Sequence, residues 1–131
     1  MSRSAIAWRA VTDVRHTRGQ KGEEFAARHF TALGFEVLAR NHRTRFGELD
    51  LVVFDGTTLV FAEVKTRLAG SGDPFLNLHD RKRAQVRRMA LAWLSETTDR
   101  PFGARLRFDG VAVLLDAAGG LVELEHLEAA F

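Results

Sequence analysis

LDLVVFDGTTLVFAEVK, residues 49–65, is two runs of aliphatic and aromatic residues broken by Asp55-Gly56-Thr57-Thr58. Runs of this kind around a Gly-containing break predict a β-hairpin. Two registers fit it. With Gly56-Thr57 as the loop, Asp50 lies directly across from Glu63; with Asp55-Gly56 as the loop, Glu48 faces Glu63 and Asp50 is diagonal to it. Both keep Asp50 and Glu63 on one face, because a two-residue shift preserves the parity of the pleat. Lys65 shares that face. The opposite face, made of Leu49, Leu51, Val53, Val60, Ala62 and Val64, is expected to be core throughout. The Asp50 face starts apolar at the turn, with Val52, Phe54, Leu59 and Phe61, and becomes charged at its far end.

Upstream, Thr17-Arg18-Gly19-Gln20 has the spacing of a capping box. Phe25, Ala26, Phe30 and Leu33 then recur at helical spacing until Gly34 supplies a stop. Phe35 to Ala39 reads as a short strand, followed by a polar turn through Asn41 and His42. Downstream of the hairpin come a Gly/Ser loop from Ala69 to Pro74 and a helix from about Leu78 to Thr97. That helix carries an apolar stripe of Val86, Met89, Ala90, Trp93 and Leu94. Arg105 to Leu115 is a strand, Ala117 to Gly120 a turn, and Leu121 to Leu127 a final strand. The order predicts an α/β fold with a mixed central β-sheet flanked by α-helices. Residues 1–16 read as an N-terminal extension, disordered or a short helix, and residues 17–131 as a single domain.

The 131 residues suit one domain, and 46% hydrophobic with 27% charged content is ordinary for a soluble globular chain. The absence of cysteine excludes disulfides and thiolate metal sites. No segment approaches the ~20 apolar residues of a membrane span, and Arg3, Arg9 and Asp13 interrupt any signal-peptide core, so a cytoplasmic location is expected. A net charge of +2 is too small to argue for nucleic acid. Its distribution says more. Basic residues gather before residue 22, at Arg40, Arg43 and Arg45, and from Arg81 to Arg88, whereas Asp116, Glu123, Glu125 and Glu128 collect near the end. The three clusters together suggest a basic face for polyanions, although any one of them alone reads more readily as a solvated surface. The five histidines show no ligand spacing and read as surface or packing residues, as do Trp8 and Trp93. Asp109, inside a strand after Phe108, is left out of the site.

Two carboxylates opposed on neighbouring strands repel unless a cation sits between them. A hard divalent cation held by carboxylate oxygens, Mg²⁺ or Mn²⁺, relieves that repulsion. Lys65 would then orient a nucleophilic water or stabilise charge on a phosphate. An ordinary salt bridge of Lys65 with Glu63 or Asp50 is the competing reading. Glu23 shares a helical flank with Ala26, Ala27 and Phe30 and points toward the sheet, whereas Glu24 pairs with Arg28 on the solvent face. A plain N-terminal-turn glutamate is the alternative for Glu23. Gly47 is expected at a close backbone approach beside Asp50. Arg43, Arg45, Arg67, Lys82 and Arg83 are the candidate phosphate contacts.

Gly47-Glu48-Leu49-Asp50 followed by Glu63-Val64-Lys65 resembles the Asp…Glu-x-Lys core of the PD-(D/E)XK, or restriction-endonuclease-like, nuclease superfamily. Gly22-Glu23, Arg40-Asn41, Phe61 to Lys65, Lys82, Arg107-Phe108-Asp109 and Ala130-Phe131 extend the resemblance to the YraN-like family. Those are bacterial predicted endonucleases distantly similar to archaeal Holliday-junction resolvases. The match runs from about residue 18 to the C-terminus; the superfamily's proline is absent, because Leu49 precedes Asp50. The resemblance implies a restriction-endonuclease-like fold and Mg²⁺- or Mn²⁺-dependent cleavage of DNA, branched DNA included. It also implies Asp50 and Glu63 as metal ligands with the Val64 carbonyl nearby, Lys65 as the catalytic lysine, and Glu23 as a further metal or water ligand. The rival reading is a nucleic-acid-binding module that keeps the fold without cleaving. A homodimer would suit a two-fold symmetric junction, but no sequence feature marks an interface.

Overall fold

The structure, a computed structural model, describes residues 14–73, 75 and 80–131. Its elements are α1 (Val14–Ala32), β1 (Glu36–Thr44), β2 (Gly47–Phe54), β3 (Thr58–Leu68), α2 (Asp80–Glu96), β4 (Arg105–Leu115) and β5 (Leu121–Leu127). The strands form one five-stranded sheet in the order β1-β2-β3-β4-β5. All neighbours are antiparallel except β3 and β4, which run parallel through α2. Among the described residues this is a mixed α/β arrangement of two helices on a five-stranded sheet, compatible with the restriction-endonuclease-like fold.

Local chemistry sets the element ends. At the end of α1, Phe35 N donates to Phe30 O at 3.0 Å and Gly34 N to Thr31 O at 3.0 Å, with Gly34 at φ 97°. That is a Schellman cap, which needs the left-handed conformation glycine adopts without penalty. Its apolar contact is the edge-on packing of Phe30 and Phe35, ring centroids 5.4 Å apart. The hairpin turn is fixed by Asp55, whose Oδ1 accepts from Thr57 N at 2.9 Å and Thr58 N at 2.8 Å. This Asx turn makes Gly56-Thr57 the loop. Of the two registers the first is therefore observed: Leu51 pairs with Ala62, Val52 with Phe61 and Phe54 with Leu59.

The sheet separates two cores. On the α1 side, Ala26, Ala27 and Phe30 pack on Leu51, Val53, Val60, Ala62, Val111, Val113 and Leu115. On the α2 side, Val86, Met89, Ala90 and Trp93 pack on Leu49, Val52, Leu59, Phe61 and Phe131. Three expectations are corrected. Residues 17–20 lie inside α1, which already includes Val14, so Thr17 is not its cap; a hydroxyl caps only where its own backbone leaves the helix. Residues 1–13 of the anticipated extension lie outside the described residues. Asn41 and His42 belong to β1, and the turn falls at Arg45-Phe46. Leu49 sits in the α2 core rather than beside Leu51 in the α1 core.

Helix α1 approaches β3 closely at Gly22, where an added Cβ would overlap the Thr66 side chain. Among the described residues nothing lies within 4 Å of a Cβ added to Gly19, three residues earlier. Glycine to alanine favours an isolated helix by about 1 kcal/mol at either position. In this fold the two signs should differ. Urea unfolding is expected to show Gly19→Ala more stable by up to about 1 kcal/mol, and Gly22→Ala less stable by about 1–3 kcal/mol through overpacking.

Candidate functional site

The pairing of β2 with β3 ends at Leu51↔Ala62. Beyond it, in the observed register, Val64 N would point at the Leu49 carbonyl; instead it donates to Asp50 Oδ2 at 2.7 Å. The carboxylate stands in for backbone where the strands part. A half-buried amide is thereby satisfied, and the Asp50 side chain is held between β2 and β3.

Around Asp50 the structure gathers negative charge. One carboxylate oxygen from each of Glu23, Glu48 and Asp50 lies within 4.8 Å of the others. Glu63, buried on β3, lies outside that group of three and has Oε1 3.7 Å from Lys65 Nζ. Burial, and then the negative charge of Glu63, push the Asp50 carboxyl up to about 8; Glu23 and Glu48 add to this and the Val64 N–H opposes it. Carboxylates this close cannot all ionise without a compensating cation.

Glu23, Val64 and Lys65 also line a cleft of about 520 Å³ that continues past Arg18, Thr66, Arg67 and Ser71. Its lining thus combines the Glu23 carboxylate with the basic side chains of Arg18, Lys65 and Arg67. Lys65 has about a third of its side chain exposed (34%).

Each anticipated residue now has a place. Asp50, Glu63, Lys65, Val64 and Glu23 come together at the fork between β2 and β3. The Lys65–Glu63 pair is present. Glu24 turns outward to Arg28 at 3.4 Å and to Arg40 at 2.9 Å. Of the anticipated phosphate contacts, exposed Arg67 lines the cleft. Arg43 is exposed and reaches Glu48 at 3.8 Å. Arg45 lies over the Phe46 ring at 4.8 Å and borders a separate cleft against α2. Arg83 is exposed on α2, and the Lys82 side chain lies outside the described residues. Two members escaped the sequence reading. Glu48 entered it only as an alternative partner for Glu63, although its i,i+2 relation to Asp50 was a usable signal. Arg18, read as part of a capping box, sits five residues before Glu23 on α1 and lines the same cleft.

Asp109 is the electrostatic opposite of Asp50. It is fully buried, yet Arg107 donates to it twice, at 2.9 and 2.8 Å, and Ala129 N donates at 3.0 Å. His126 Nε2 lies 2.7 Å from its Oδ2, and His126 Nδ1 lies 2.9 Å from His29 Nε2 on α1. Burial, and then His126, hold His29 below its ordinary range. This network ties β4, β5 and α1 together away from the cleft, and places His29 and His126 as packing residues.

A mixed α/β domain with a carboxylate cluster at a strand fork is the class that this fold and site define. The chain belongs to the uncharacterised protein family UPF0102, whose model matches residues 22–113. It is 44% identical over 130 residues to a UPF0102 protein of Acidothermus cellulolyticus, covering 92% of this chain and 98% of the relative. It is 43% identical to one of Pelotomaculum thermopropionicum, covering 92% and 100%, and 46% identical to one of Nocardia farcinica, covering 86% and 87%. Among the described residues no helix is long and apolar enough to cross a membrane.

The two aspartates make opposite predictions. With Asp50 raised to about 8 in the fold against about 3.9 unfolded, the native state holds the extra proton between those values. Its contribution is complete below pH 4 and is lost as pH rises through 8, at about 1.4 kcal/mol per unit of displacement. Metal-free protein is therefore expected to melt several degrees lower at pH 8.5 than at pH 5.5, and Asp50→Asn to flatten that slope and stabilise at pH 8.5. Asp109→Asn is expected to cost roughly 2 kcal/mol or more at both pH values, because it strips Arg107 of its partner. Thermal melts of the three proteins at both pH values check this.

Proposed function

We propose that this protein is a divalent-metal-dependent endonuclease of the PD-(D/E)XK class, hydrolysing phosphodiester bonds in DNA. The observation that carries the reading is the convergence of Glu23, Glu48 and Asp50 oxygens within 4.8 Å, beside the Glu63–Lys65 pair. The donor set fits the metal. Among the described residues the donor set is carboxylate oxygens, which suit Mg²⁺ or Mn²⁺, and the displaced titration of Asp50 marks a site whose charge asks for a cation. Asp50, Glu23 and Glu48 would hold it, with Glu63 and the Val64 backbone adjacent. When bound, such an ion polarises a phosphoryl oxygen and lowers the pKa of a coordinated water.

The chain's own residues supply the rest. Asp50 keeps its orientation through Val64 N–H. Lys65, restrained by Glu63, presents its ammonium to the cleft, where it positions water and offsets charge developing on the phosphate. Arg67 and Arg18 flank the same cleft and hold adjoining phosphates of the strand. Cytoplasmic DNA is the substrate that this reading expects.

Cleavage of labelled linear, flap and four-way-junction DNA, with Mg²⁺, Mn²⁺ or chelator, tests the proposal. Activity should require the metal and fall by at least about 100-fold in Asp50→Ala and Glu63→Gln, with circular dichroism unchanged. Full metal-dependent activity in purified Glu63→Gln would sink the assignment. Salt-sensitive binding without cleavage would favour the non-catalytic recognition module instead.

A further inference from the structure

Side chains two residues apart on a strand share a face. Across one short step of the β1–β2 hairpin they do not. Arg40 reaches Glu24 on α1 at 2.9 Å, whereas His42 reaches Glu96 at the end of α2, 3.2 Å away. On the paired strand, Leu51 packs in the α1 core and Leu49 in the α2 core. Arg40 pairs with Leu51 and His42 with Leu49, so the register is kept while both strands turn over together. Between these pairs stand Asn41 and Asp50. Asn41 has φ 50° and its side chain is exposed.

The turnover decides where the carboxylates go. Had the alternation continued from Leu51, Glu48 would lie on the α2 side. With Leu49 in the α2 core, Glu48 and Asp50 instead face α1, where Glu23 stands within 4.8 Å of both. The far end of the hairpin is held on α2 by Gln85 Nε2, which donates to Phe46 O at 2.9 Å. It is held also by Gly47, where a Cβ would come within 3.0 Å of Gln85 Nε2 and Met89 Sδ. One end of the hairpin is thus docked on α1 and the other on α2, and the chain needs a residue able to reverse its facing between them. A left-handed residue does this, and asparagine tolerates that conformation better than other non-glycine residues.

We infer that Asn41 is a positioning residue for the Glu23–Glu48–Asp50 cluster, acting through its left-handed backbone to turn the hairpin over at Asp50. The inference rests on the proposed reading of that cluster as a metal site, and adds to it the residue that assembles it. An exposed side chain makes the backbone, not a contact, the agent. Glycine should therefore substitute where β-branched residues do not.

The test compares Asn41→Gly, Asn41→Ala and Asn41→Val in metal-free protein by amide hydrogen exchange. Val64 N–H, bonded to Asp50 Oδ2, is the probe; Val60 and Ala62 on the same strand report global opening. Asn41→Gly should keep Val64 protection within about threefold of the parent, whereas Asn41→Val should lose about tenfold or more at Val64 alone. Asn41→Ala, which lacks the branched Cβ of valine and so bears a smaller left-handed penalty, supplies the same comparison where valine prevents folding. Mn²⁺ affinity by calorimetry should follow the same order, weakened about tenfold or more in Val or Ala and retained in Gly. Unchanged Val64 protection in both Ala and Val variants, or equal loss in the Gly variant, would overturn the inference. If the parent protein binds no Mn²⁺ while the exchange pattern holds, the positioning role stands and the metal-site reading falls.

Discussion

The bond from Val64 N–H to Asp50 Oδ2, 2.7 Å long, is the constraint on which the site depends. A sheet can part only where the backbone groups it abandons find other partners. Here a side-chain carboxylate takes over, and β2 leaves β3 after Leu51. The fork that results is where α1 brings Glu23 against Val64 and Lys65, and where the cleft past Arg18 and Arg67 begins. Close packing makes this approach possible, since Gly22 lies against Thr66 with no room for a side chain. The same carboxylate carries a burden in return. It is desolvated among Glu23, Glu48 and Glu63, and its ionised form is unfavourable in the metal-free fold.

Comparison with Asp109 shows how one residue type serves two ends. Asp109 is the more deeply buried of the two, yet its four donors come from Arg107, His126 and Ala129. Its charge is compensated within the chain, and it braces strands β4 and β5. Ala129 accepts a φ of 53° in making its bond to Asp109, a local cost of the kind alanine rarely bears unless its surroundings hold it there. Among the described residues, Asp50 has one backbone donor, Val64 N–H, and like charges from Glu63, Glu23 and Glu48. A carboxylate left uncompensated by the protein is poised to gain from something outside it, and this asymmetry separates a brace from a candidate site.

Much of this was legible in the residues. The Asp55-Gly56-Thr57-Thr58 break specified the hairpin, and the Asx turn at Asp55 selects between two registers that periodicity alone left open. The stripe from Val86 to Trp93 is the buried face of α2. The flank of Glu23 with Ala26, Ala27 and Phe30 faces the sheet, and Glu24 meets Arg28. What failed to read were departures from periodicity. Unbroken alternation groups Leu49 with Leu51, and the polar Asn41-His42 pair reads as a turn, because asparagine so often marks one. Arg18 was hidden in an apparent capping box that the helix runs straight through.

By itself, then, the sequence determined the elements, the order of α1 through β5, the register options and the residue types that meet near Asp50. These follow from short-range chemistry: side-chain periodicity, turn geometry and the preference of glycine and asparagine for left-handed backbone. Only the tertiary structure decided that Glu48 joins Glu23 and Asp50 while Glu63 pairs with Lys65. It also decided that Arg18 shares the cleft with Arg67, whereas Arg45 borders a different one. The reason is the turnover of the β1–β2 hairpin, whose two ends dock on opposite helices. That docking depends on contacts between residues far apart in the chain, such as Gln85 with Phe46 and Glu24 with Arg40, which no local pattern encodes.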